Sequence, residues 1–73
     1  MDFRTAVRIF SDGNRIEIYG GEHSEFEDRY LAIGLIDSKM IVATVIYTER
    51  GRSLRVISAR KASNQERRMY DDR

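Results

Sequence analysis

Arginine is the residue type in this 73-residue sequence that is both abundant and placed to act on a substrate. Arg50 closes one apolar segment, Arg55 lies inside the next, and Arg60 ends that segment with Lys61 beside it. A guanidinium grips a phosphate bidentately and stabilises the charge that builds on a phosphorane, with no metal required. Arg55, within Leu54-Arg55-Val56-Ile57, is either a surface side chain lying along its apolar neighbours or a placed phosphate ligand. Arg55 and Arg60 are five positions apart, so a regular strand sends them to opposite faces unless it ends or bulges near Ala59.

Other chemistry is sparse. The chain has no cysteine and one histidine, His23, which excludes disulfides, thiolate metal sites and histidine clusters. No Ser-His-Asp arrangement has a spacing that supports nucleophilic catalysis, and no glycine-rich loop leads into a lysine. Neither a metal nor a cofactor is expected. His23, between Glu22 and Ser24 in a polar loop, reads as a solvated surface residue. Tyr47 and Tyr70 offer rings on which bases could stack. Tyr47 lies in the most apolar segment and reads as core, whereas Tyr70, three positions after Arg67, reads as more exposed, with Met69 packing that segment.

The formal net charge of +1 hides a split. Residues 50–73 carry eight basic side chains against three acids, and residues 1–49 carry five against nine. A basic end behind an acidic front is either a footprint for a polyanion or a solvated surface of mixed charge.

Hydropathy patterning supplies the elements that must hold these side chains. Phe3, Ala6, Val7 and Phe10 recur at helical spacing, with Asp2 placed as the cap, and Ser11-Asp12-Gly13-Asn14 ends that helix. Residues 15–19 alternate as a half-buried strand that stops at Gly20-Gly21, and residues 22–28 form an acidic loop. Residues 29–36 are a second strand with Leu31, Ile33 and Leu35 on one face, and Asp37-Ser38 predicts a tight hairpin. Residues 39–48 are apolar on both faces and predict a central strand covered on both sides. Gly51 can take a positive φ in the next turn. In the last strand, 53–60, Leu54, Val56 and Ser58 are expected on one face and Arg55, Ile57 and Ala59 on the other. Ser63-Asn64-Gln65-Glu66 fits a capping box at the head of a C-terminal helix. The order α-β-β-β-β-α, with an antiparallel meander of about four strands, is an α+β domain.

Two strings in tandem make the sequence distinctive. Ile46-Tyr47-Thr48-Glu49-Arg50-Gly51 is followed by Arg55-Val56-Ile57-Ser58-Ala59-Arg60-Lys61-Ala62, and Glu66-Arg67-Arg68-Met69-Tyr70 comes after. Together with Asp28-Arg29-Tyr30-Leu31-Ala32-Ile33-Gly34 and the segment from Phe3 to Asp12, they resemble the BrnT family of toxins from bacterial type II toxin–antitoxin systems. The resemblance implies a small RelE-like fold, metal-independent ribonuclease activity, and neutralisation by a BrnA-like antitoxin that dimerises and represses its own operon. It implies Arg50, Arg55 and Arg60 as catalytic residues around the scissile phosphate. The RNA's own 2′-hydroxyl would be the nucleophile and Glu49 its base. Arg52, Lys61, Arg67 and Tyr70 would be RNA contacts. Family members usually carry a further strand and helix with a Trp-Asp start and a Lys-His-Gly turn, which these 73 residues do not contain. That implies an alternative: a non-catalytic, truncated toxin relative that binds antitoxin or RNA.

Length and composition frame the rest. A chain of 73 residues is expected to form a single domain, 1–73, that buries only about 60% of its unfolded surface, so a partner subunit or homodimer is anticipated. The longest apolar-dominated run, residues 40–47, is too short to span a bilayer, and the start Met-Asp-Phe-Arg-Thr lacks a secretory pattern. A cytoplasmic location with no membrane contact is the expectation.

Overall fold

The computed structural model describes residues 1–22 and 28–72, and the side chains of Gly21 and Glu22 are not described. The expectation for His23 and for most of the acidic loop lies outside the described residues.

Asp2 starts the first helix as its sequence position suggests: Oδ1 accepts from the Thr5 amide at 2.7 Å, capping α1 (Phe3–Ala6). The helix then tightens into a 3-10 turn over Val7–Ser11. At three residues per turn the inward positions become Ala6 and Ile9, both fully buried, while Phe3 and Val7 are left exposed. The expected stripe of Phe3, Ala6, Val7 and Phe10 is therefore replaced by Ala6, Ile9 and Phe10, because the helical period does not persist beyond Ala6.

Four strands follow as an antiparallel meander in the order β1 (Ile16–Glu22), β2 (Asp28–Ile36), β3 (Ile41–Arg50), β4 (Ser53–Lys61). The β2–β3 connection is a 3-10 turn over Asp37–Lys39, longer than a two-residue hairpin, and Met40 completes it with φ 53°. Met40 is 75% exposed, so it belongs to the turn and not to a covered strand. Gly51 takes φ 59° in the β3–β4 turn, as its freedom from a Cβ permits. A C-terminal helix, α2 (Asn64–Asp72), completes an α+β architecture.

Both faces of the sheet are covered, one by each helical segment. On the first face Ala6 and Ile9 pack with Ala32, Ile36, Ala43, Val45 and Tyr47. Tyr47 stacks on Tyr30 with centroids 5.6 Å apart and receives the edge of Phe10 at 5.3 Å. Burial, reinforced by Glu17 and Glu49, raises the Tyr47 hydroxyl above its ordinary pKa. Gly34 lets the 3-10 turn approach this face, since a Cβ there would come within 2.9 Å of the Ile9 Cβ. On the opposite face Ile33 and Val42 pack with Tyr70 of α2, flanked by Ile16, Ile18, Leu35 and Ala62. β3 is the central strand covered on both sides that its two-faced apolarity predicts, with Ala43, Thr44 and Val45 all at 0% exposure.

Candidate functional site

The positions of the arginines follow from one irregularity. Along β3 and β4 the pairs run Thr48↔Arg55 and Tyr47↔Val56, then Ile46↔Ser58 and Thr44↔Arg60, so Ile57 is an extra residue in β4. A one-residue bulge inverts the alternation beyond it. Leu54 and Val56 point to the α1 face, but past the bulge that face receives Ala59 and Lys61, and the α2 face receives Ser58 and Arg60. The expected grouping of Ser58 with Leu54 and Val56 is thereby corrected. Arg55 and Arg60, five apart, share the α2 face, with Arg50 and Ser53 paired at its end. Thr44 and Thr48 are four residues apart on β3, which places the Arg55 and Arg60 rows about 13 Å apart.

Arg60 is tied to the helix. Its Nη1 and Nη2 donate to the two Glu66 carboxylate oxygens at 2.6 and 2.9 Å. Glu66 Oε1 also accepts from the Thr44 hydroxyl at 3.0 Å and from the Ser63 amide at 2.8 Å, while the Glu66 amide donates to Ser63 Oγ at 3.1 Å. The capping box read from the sequence therefore also anchors α2 to β3 and β4. These donors, Arg60 first, hold the Glu66 carboxyl at a pKa of about 2, and the same contact raises that of Arg60.

Tyr70 turns inward, one turn beyond Glu66 on the same side of α2. It is 9% exposed, and its hydroxyl donates to Asp12 Oδ2 at 2.5 Å. Met69 is exposed instead, the reverse of the sequence expectation, because the i, i+4 partner of the anchored Glu66 is Tyr70. Asp12 Oδ2 also accepts from the Leu35 amide at 2.9 Å, and Oδ1 from the Asn14 amide at 2.9 Å. One carboxylate thus joins the turn before β1, the strand β2 and the helix α2. Sequence reasoning read Asp12 only as a turn residue; its other partners lie 23 and 58 positions away.

The remaining sequence-derived site residues separate. Glu49 pairs with Leu54 on the α1 face, one alternation away from Arg50 and Arg55. Lys61 pairs with Ala43 on that same α1 face. Arg52 is exposed in the β3–β4 turn and Arg67 on the outer side of α2. The structure thus brings Arg50, Arg55 and Arg60 onto one face and puts Glu49 and Lys61 on the other, while Tyr70 packs on Ile33 and Val42 with its hydroxyl on Asp12. Guanidiniums offer donors and no acceptor, so the face supplies positive charge and donors and is suited to an oxyanion.

Two polar groups beside these arginines were not singled out from the sequence: Arg29 on β2 and Thr48 on β3. The alternation of Arg29 with Leu31 and Ile33 was a visible signal; Thr48 had none. Among the described residues, no group of three or more His, Asp or Glu could hold a metal. Among them, too, no helix is long and apolar enough to cross a membrane.

A family model described as "Ribonuclease toxin, BrnT, of type II toxin-antitoxin system" matches residues 1–66. No curated protein and no solved structure matches the chain.

Proposed function

The chain belongs to the BrnT family of ribonuclease toxins, which implies an antitoxin partner, and from that premise we propose that it cleaves RNA without a metal. The observation that supports the reading is the β4 bulge, which brings Arg60 to the face that Arg50 and Arg55 share. Arginines there neutralise a phosphodiester and stabilise the added charge of its transition state as the RNA's own 2′-hydroxyl attacks. Arg52 and Arg67 extend the positive surface along which an RNA strand lies. A BrnA-like antitoxin that masks this surface would neutralise the toxin, and the pair would act in the cytoplasm.

The test is incubation of the purified chain with single-stranded RNA in excess chelator. Cleavage should persist in chelator, and Arg55→Ala should reduce it by at least about a hundredfold, the scale of losing one preorganised charged donor; Arg60→Ala should reduce it too, but it also breaks the bidentate contact to Glu66. Intact RNA with the wild-type chain overturns the proposal. In that case, retained antitoxin binding identifies a non-catalytic module.

A further inference from the structure

The two buried threonines of β3 each face an arginine of β4 and have different fates. Thr44 is 0% exposed and pairs across to Arg60; Thr48 is 2% exposed and pairs across to Arg55. Both lie on the α2 face, four residues apart. At the first, a carboxylate from Glu66 accepts from the threonine hydroxyl and the arginine guanidinium together. At the second, Thr48 Oγ1 is buried with no hydrogen-bond partner among the described residues.

Arg29 completes the second row. Tyr30 pairs with Tyr47, so the next residue outward on β2 lies beside Thr48, with Arg55 on its other side. Arg29 Nε is likewise buried and, among the described residues, without a hydrogen-bond partner. A buried polar group normally finds a partner, and two adjacent exceptions call for an explanation. Both arginine side chains are donors only, and the threonine hydroxyl can join them as a donor. The group that satisfies all three is an acceptor, and between two guanidiniums it is an anion. The Thr44–Arg60 row shows such an oxyanion in place; the Thr48–Arg55 row has the same donor pair, with Arg29 added and, among the described residues, no hydrogen bond from Thr48 Oγ1 or Arg29 Nε to an acid.

We infer that Arg29, Thr48 and Arg55 form a cradle for one phosphodiester oxyanion of an RNA strand. The choice of RNA over a free anion rests on the function proposed above. Thr48 contributes its hydroxyl and Arg29 its Nε–H, which is directed to one oxygen by burial. Arg55, exposed at the outer side, closes the cradle with its fork. Thr48 and Arg29 are therefore phosphate-holding residues that the β4 arginines alone do not reveal.

The test uses the full chain and a fully 2′-O-methylated RNA oligomer, whose blocked nucleophile allows binding without cleavage, with inorganic phosphate as a second ligand. The arginine Nε–H resonances are followed by 1H–15N NMR. The Arg29 signal should shift on titration with the oligomer. Thr48→Val, which keeps the side chain's shape, and Arg29→Lys, which keeps its charge, should each weaken oligomer binding roughly tenfold, the scale of a lost charge-assisted hydrogen bond. Arg4→Ala, which removes an exposed charge from α1, should change it far less. Binding within twofold of wild type in both Thr48→Val and Arg29→Lys overturns the inference. So does a site that takes phosphate and ignores the oligomer. If ordinary RNA stays intact while oligomer binding still depends on Thr48 and Arg29, the cradle stands and the ribonuclease reading falls.

Discussion

Replacing Glu66 by glutamine should destabilise the protein in a way that disappears in acid. Glutamine at this position still completes a capping box, so the variant isolates the charge on Glu66. That carboxyl is lowered from its ordinary 4.5 to about 2 by Arg60, the Ser63 amide and the Thr44 hydroxyl. At about 1.4 kcal/mol per tenfold change in proton affinity, the full difference corresponds to roughly 3 kcal/mol. The Glu66 side chain is only 14% exposed, but that of Arg60 is 47% exposed, and solvent screening reduces the expected value to about 1–2 kcal/mol. For a domain of this size such a loss lowers Tm by roughly 4–16 °C. A carboxyl whose folded pKa lies below its unfolded pKa stabilises fully above the unfolded value, and the contribution vanishes as pH falls through the folded one. The gap between wild type and Glu66→Gln should therefore be complete above about pH 5 and closed near pH 2. Urea denaturation followed by far-UV circular dichroism across that range reads it directly. A gap below about 0.5 kcal/mol at neutral pH, or one of equal size at both ends of the range, would refute the reasoning.

Three further substitutions probe the positions that only packing explains. Tyr70→Phe removes the hydroxyl that donates to Asp12 at 2.5 Å and should cost about 1–3 kcal/mol, seen as a lower urea midpoint at unchanged m-value. An unmoved midpoint would show that Asp12 does not anchor α2. Gly34→Ala forces a Cβ to within 2.9 Å of the Ile9 Cβ and should cost about 1–3 kcal/mol; a Tm equal to wild type contradicts the close approach. Met40→Gly relieves a left-handed conformation (φ 53°) at a side chain that is 75% exposed, and should raise stability by up to about 1 kcal/mol. A lower Tm in that variant would mean that Met40 has a packing role.

Local chemistry is what the amino-acid sequence by itself determined. The Asp2 cap, the Ser63–Glu66 capping box, the turn at Gly51 and the two-faced strand β3 each depend on residues within a few positions of one another. All were legible, as were the element order and the abundance of arginine toward the C-terminal end. The tertiary structure decided parity and long-range pairing. Side chains alternate with a period of two, so one extra residue at Ile57 inverts the remainder of β4 and moves Arg60 onto the face of Arg55. Whether such a bulge forms depends on how β3 matches β4, and no composition rule places it. The same holds for the 3-10 turn that exchanges Val7 for Ile9, for Asp12 reaching Leu35 and Tyr70, and for Thr44 meeting Glu66 while Thr48 Oγ1 meets no partner among the described residues. Each depends on residues distant in the chain, where docking of both helical segments onto the sheet outweighs local preference.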